Sequence, residues 1–136
     1  MARLAQALFG SSLLGLRAPP LAAGVAVVLL TAAMAKELGG PPRAQWLAAL
    51  GVTMCAFFLG ANGLLQTVSF DTLAWALALY AFVRIVRSGS PRWWLVLGAA
   101  IGLGMLTKFT TPTLVAGLGA GVLLTPIRRE LRTPWP

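Results

Sequence analysis

Asp71 and Lys108 are the residues of this chain best suited to chemistry. Asp71 lies in Gln66-Thr-Val-Ser-Phe-Asp-Thr-Leu-Ala-Trp75 and Lys108 in Thr107-Lys-Phe-Thr-Thr-Pro112, each between strongly apolar runs. An ionisable group at membrane depth costs roughly 2.5–3.5 kcal/mol on insertion scales, and it usually marks a site or a pathway. A carboxylate there can orient a divalent cation or a polar acceptor, and an ammonium can neutralise a phosphate. Neutral polar partners stand close by in sequence: Asn62, Gln66, Thr67 and Ser69 around Asp71, and Thr107, Thr110 and Thr111 around Lys108. A purely structural reading stands beside this one. Asp71 and Lys108 can form an ion pair that packs two helix ends. Asp71, placed in the first turn of its helix, also complements the helix dipole.

The elements that position these residues follow from hydropathy. The 136 residues are 58% hydrophobic and only 10% charged; soluble domains carry about 25% charge. Mean hydropathy is +0.83. The fold class expected is an all-α membrane protein with five transmembrane helices and a short interfacial helix at the N-terminus. The interfacial helix is read over 2–16, where Leu4, Leu8 and Phe9 share a face. The spans are read over about 18–35, 44–59, 70–86, 93–106 and 113–124. Pro19 and Pro20 fall in the first turn of the first span, where a missing N–H costs least. Gly-Gly-Pro-Pro at 39–42, Gly89 with Pro91, and Pro112 punctuate the series. The last two spans are short, so they read as tilted crossings in preference to a re-entrant pair. The abrupt start and stop read as one piece of a larger transmembrane domain.

Charge gives the orientation. The net charge is +8. Lys36 and Arg43, then Arg84, Arg87 and Arg92, then Arg128, Arg129 and Arg132 fall on one face of an alternating path, while Arg3, Arg17 and Lys108 fall on the other. That split is the positive-inside pattern of a topogenic sequence, and it argues against a nucleic-acid partner. It places the C-terminus in the cytoplasm and the turns at 60–71 and 107–112 outside. Of the three acids, Asp71 alone lies on the outer side, since Glu37 and Glu130 sit among cytoplasmic arginines.

Other features read as structural. Cys55 is the single cysteine and there is no histidine, so neither an intrachain disulfide nor a Cys/His metal site exists. Arg3, Gln6 and Arg17 interrupt the N-terminal segment, which therefore is not a cleavable signal. Arg3 and Arg17 can grip lipid phosphates or simply snorkel to the interface. Trp75, one turn after Asp71, reads as a packing or interface aromatic in preference to a sugar platform, Trp93-Trp94 as an anchor, and Lys36-Glu37 as a solvated loop pair. Gly98-Ala-Ala-Ile-Gly102 and Gly117-Leu-Gly-Ala-Gly121 are small-residue repeats that favour close helix contact.

The ordered set Ala35-Lys-Glu-Leu-Gly-Gly40, Phe70-Asp-Thr-Leu-Ala-Trp75, Ser88-Gly-Ser-Pro-Arg-Trp-Trp94 and Gly102-Leu-Gly-Met-Leu-Thr-Lys108 resembles glycosyltransferase family 39. This is a GT-C family that includes protein O-mannosyltransferases and the aminoarabinose transferase of lipid A. The resemblance implies transfer of a sugar from a polyprenyl-phosphate donor on the extracytoplasmic face of a bacterial inner membrane. It matches Asp71 to the acid of the second external loop, the candidate catalytic residue. It matches Lys108, with Thr107, to a Thr-Lys pair suited to the donor phosphate, and Arg17 joins them from the same face. Asn62 and Gln66 are the candidate acceptor-side polar groups. The implied partners are the lipid-linked sugar, membrane lipids and the remaining parts of the same enzyme, and a divalent cation stays open. The family's principal acid lies in a first external loop, and residues 2–17 resemble only the end of that loop, so the isolated chain is expected not to transfer sugar. A small transporter subunit and a non-catalytic membrane scaffold are the alternatives.

Overall fold

The computed structural model describes residues 13–63 and 66–124, and all regular structure among them is α-helical. The helices are α1 (Leu13–Glu37), α2 (Pro42–Thr53), α3 (Ala56–Asn62), α4 (Thr67–Ser88), α5 (Arg92–Thr107) and α6 (Thr111–Leu124). The expected interfacial helix lies mostly outside the described residues, as does the basic tail. Residues 13–16 belong to α1, which begins earlier than the hydropathy run. Pro19 and Pro20 therefore sit inside that helix and not in its first turn.

Turn chemistry sets the ends. The Gly40 N–H donates to Ala35 O at 2.8 Å, closing α1, and Gly39 takes a left-handed φ of 88°. A Cβ on Gly40 would stand 2.7 Å from Ala35 O, so two glycines are needed here. Pro41 and Pro42 then start α2, which suits a residue without an N–H. Gly89, at φ 60°, ends α4, and its N–H bonds Ile85 O at 3.0 Å.

The expected second span is divided. Helix α2 stops at Thr53, Cys55 is extended (φ −69°, ψ 112°), and α3 starts at Ala56. Gly51, Val52 and Thr53 are weak helix formers, and the Thr53 hydroxyl bonds back to Ala49 O at 2.8 Å, a contact that bends helices. Two helices, Arg17–Glu37 and Thr67–Ser88, are long and apolar enough to cross a membrane, while α5 and α6 are shorter apolar helices.

Helix α4 is the centre of the assembly, packed most extensively on α5 and next on α1. Its buried stripe is Ala74, Ala78, Ala81 and Ile85, facing Leu97, Ala100 and Gly104 of α5. Small side chains on both helices let the backbones approach closely. The expected glycine repeats do not make this contact. Gly98, Gly102, Gly117 and Gly121 are exposed, with nothing within 4 Å of a Cβ built on any of them. Because Ala81 is fully buried, Ala81→Leu should destabilise the α4–α5 pair by about 1–3 kcal/mol through overpacking. The same change at exposed Ala99 should leave the melting temperature in place. Identical melting of the two variants in detergent would refute this packing.

Helices α1 and α4 run parallel, and an ion pair ties their C-terminal ends. Arg84 Nη1 donates to Glu37 Oε1 at 2.5 Å. The Arg84 guanidinium also lies 4.9 Å from the Trp93 ring centroid, and Tyr80 meets Trp93 edge-on at 5.6 Å. Glu37 is thus an interhelical partner and not half of a solvated Lys36-Glu37 loop pair. Lys36 remains exposed.

Candidate functional site

Asp71 is the fifth residue of α4, just past the first turn, so it is not the first-turn acid expected. It is 9% exposed. Thirteen residues separate it from Arg84, which at 1.5 Å per residue puts it about 20 Å along the helix from the Glu37–Arg84 end. The start of α4 is fixed by Ser69, fully buried, whose hydroxyl donates to Ala61 O of α3 at 2.9 Å.

The other wall comes from the α5–α6 turn. Lys108 ends α5 in extended conformation, its N–H bonded to Gly104 O at 3.0 Å. Thr111 is buried beneath it, and its hydroxyl donates to Lys108 O at 3.4 Å. The turn fits because residue 104 is glycine: a Cβ there would meet Thr111 Oγ1 at 2.8 Å and Ala74 Cβ at 3.5 Å. This close approach brings Thr110 to Asp71, where Thr110 Oγ1 donates to Asp71 Oδ2 at 3.2 Å.

Asp71, Thr72, Trp75, Thr110 and Thr113 line an open depression of about 320 Å³. Two buried polar atoms among these residues have no protein partner, Asp71 Oδ1 and Trp75 Nε1. Buried polar groups almost always find a partner, and burying a charge without one is costly. Beside this depression an acidic acceptor and an indole donor are thus buried without a protein partner.

The sequence candidates separate here. Asp71 and Thr110 come together. Lys108 and Asp71 do not form an ion pair, since the one salt bridge among the described residues joins Arg84 to Glu37. Lys108 is exposed at the same end of the α4–α5 pair. Thr107 is half-buried and donates its hydroxyl to Gly104 O at 2.8 Å. Arg17 is exposed on α1, and Gln66 is exposed ahead of α4; neither lines the depression. Asn62 is buried, donates to Phe58 O at 2.8 Å, and packs against Gly24 of α1 in a separate apolar groove. Trp75, Thr72 and Thr113 were not singled out for the site. The signal was there for Trp75, which is four residues from Asp71 and so on its helix face. Among the described residues no group of three or more Cys, Asp or Glu could hold a metal.

The whole chain, residues 1–136, matches the model of the dolichyl-phosphate-mannose-protein mannosyltransferase family. The chain belongs to this family. Membership agrees with the resemblance to a GT-C family carried by its motifs. Three curated relatives are similar, each 33% identical over 124 residues. They are the undecaprenyl phosphate-alpha-4-amino-4-deoxy-L-arabinose arabinosyl transferases of Pseudomonas aeruginosa strains UCBPP-PA14 and PAO1 and of Pseudomonas paraeruginosa strain PA7. The matched region covers 85% of this chain and 23% of the relative in each case, so the chain spans about a quarter of their length. No solved structure matches it significantly.

Proposed function

We propose that this segment forms part of the donor-side wall of a membrane glycosyltransferase that takes its sugar from a polyprenyl-phosphate donor. In this reading the reaction occurs on the extracytoplasmic face of a bacterial inner membrane. The carrying observation is Asp71, a carboxylate nine-tenths buried with one oxygen unpartnered in an open depression. The names of the relatives support an undecaprenyl-phosphate donor. Asp71 acts on the reacting sugar or its acceptor, and Lys108, exposed at the same helix end, meets the donor phosphate. Thr107 orders the helix end that presents Lys108. Arg17 engages lipid phosphate on the same side and Gln66, exposed ahead of α4, shapes the approach of the acceptor, whereas Asn62, packed against Gly24, is left a structural role. A carboxylate at that position can accept a proton from an attacking hydroxyl or hold a cation beside it.

The charge split together with the parallel α1 and α4 supports this face. Parallel neighbours require the chain between them to return, and the charge split supports a cytoplasmic Glu37–Arg84 end and an extracytoplasmic Asp71 end. Five crossings, a broken second one among them, and a cytoplasmic C-terminus complete this path. A cysteine introduced at Ser88 in a Cys55→Ala background should resist a membrane-impermeant maleimide in sealed cells and react after permeabilisation. Labelling of intact cells at residue 88 would turn Asp71 toward the cytoplasm and remove the extracytoplasmic reading.

A further inference from the structure

The side chains around the depression leave only one hydrogen-bond donor open. The Thr72 hydroxyl donates to Val68 O at 2.8 Å, the Thr110 hydroxyl to Asp71 Oδ2 at 3.2 Å, and the Thr113 hydroxyl to Thr110 O at 2.6 Å. Each hydroxyl carries a single hydrogen, so all three are engaged inside the protein. Trp75 Nε1 is the donor that remains, and Asp71 Oδ1 is a buried acceptor with nothing donating to it. The two residues are four apart on one helix, hence neighbours on one face. An indole N–H only donates and a carboxylate oxygen only accepts. A single hydroxyl can satisfy both, donating through its hydrogen and accepting through its oxygen.

We infer that Asp71 and Trp75 together hold one hydroxyl of the donor's sugar ring, with Trp75 as a specificity-determining residue. This inference rests on the glycosyltransferase reading given above. The hydroxyl hydrogen goes to Asp71 Oδ1 and its oxygen accepts from Trp75 Nε1. An ammonium cannot take this position, because it has no lone pair for the indole N–H. A sugar amine, where the donor has one, therefore lies elsewhere and a ring hydroxyl lies here. A bare phosphate is equally unsuited, since it would face the Asp71 carboxylate. The sugar and not the lipid phosphate is what this pair reads.

The test measures binding of two probes to the chain in nanodiscs: undecaprenyl phosphate, and undecaprenyl phosphate carrying a pentose or hexose. The quantity of interest is the sugar increment, the ratio of the two dissociation constants. Trp75→Phe keeps an aromatic ring, smaller than the indole, and removes the N–H. It should shrink the increment about fivefold to tenfold, the scale of one lost hydrogen bond, and leave bare-lipid affinity unchanged. Thr31→Val, on α1 away from the depression and with its hydroxyl already engaged to Val27 O at 2.8 Å, should preserve the increment and serves as the folding control. An unchanged increment in Trp75→Phe, with the lipid still bound, overturns the inference alone. Absence of binding by either lipid to the wild-type chain overturns the donor reading and this inference with it.

Discussion

Asp71→Asn should lower sugar transfer by roughly 10²–10⁴-fold in a full-length family member carrying this segment, the range for loss of a positioned proton-transfer group. The substitution changes charge and hardly changes shape. The amide oxygen can still accept from Thr110 Oγ1, which holds Asp71 Oδ2 at 3.2 Å, so the melting temperature should stay within a few degrees of wild type. Donor affinity should fall by far less than turnover, because the amide keeps most contacts that the ground-state donor makes. Single-turnover kinetics with a polyprenyl-phosphate sugar separate the chemical step from binding. Equal single-turnover rates in wild type and Asp71→Asn would take Asp71 out of the chemistry and leave it a packing residue. A loss of expression equal to the loss of activity would point the same way.

The sequence made some of this visible for identifiable reasons. The ends of α4, α5 and α6 fall within three residues of the hydropathy boundaries. Gly89 with Pro91, and Pro112, punctuate the chain where no helix can continue unaltered. The depth of Asp71 was visible too, because a lone acid between apolar runs stands out against 58% hydrophobic composition. What failed was the choice of faces. In a segment that is apolar all round, hydrophobic periodicity barely distinguishes lipid-facing from helix-facing positions. Glycine spacing therefore pointed to Gly98 and Gly102, whereas Ala78, Ala81 and Ala100 carry the contact. The division at Met54–Cys55 was missed because its causes are small, three weak helix formers and one hydroxyl back-bond. The Glu37–Arg84 pair was missed because its partners are 47 residues apart in the chain. At the site, charge complementarity left an Asp71–Lys108 ion pair standing as the structural alternative. The tight Gly104–Thr111 approach instead delivers a neutral hydroxyl from Thr110. The bridge is therefore absent, and neither charged residue is used up by the other.

That separation makes Lys108 a test of the donor phosphate. Its backbone ends α5 through an N–H bond to Gly104 O, and its side chain is exposed. Truncating the side chain therefore removes no internal contact that holds the turn. Lys108→Ala should weaken binding of undecaprenyl phosphate by roughly 5- to 150-fold, about 1–3 kcal/mol for a hydrogen bond to a charged group, with little change in thermal stability. Lys108→Arg should recover part of the affinity, because charge persists while reach and donor geometry differ. The effect should appear with the bare lipid phosphate as strongly as with the sugar-bearing lipid, which sets it apart from Trp75→Phe. If a structural Asp71–Lys108 bridge governed this end of the bundle, each single variant would lose stability and the exchanged pair Asp71→Lys/Lys108→Asp would regain it. The observed partners predict the opposite. The exchange should be worse than either single change, because it buries a lysine where Thr110 donates to Asp71 and puts a carboxylate at the phosphate position. Restored melting in the exchanged pair, together with undiminished lipid binding in Lys108→Ala, would remove the phosphate role.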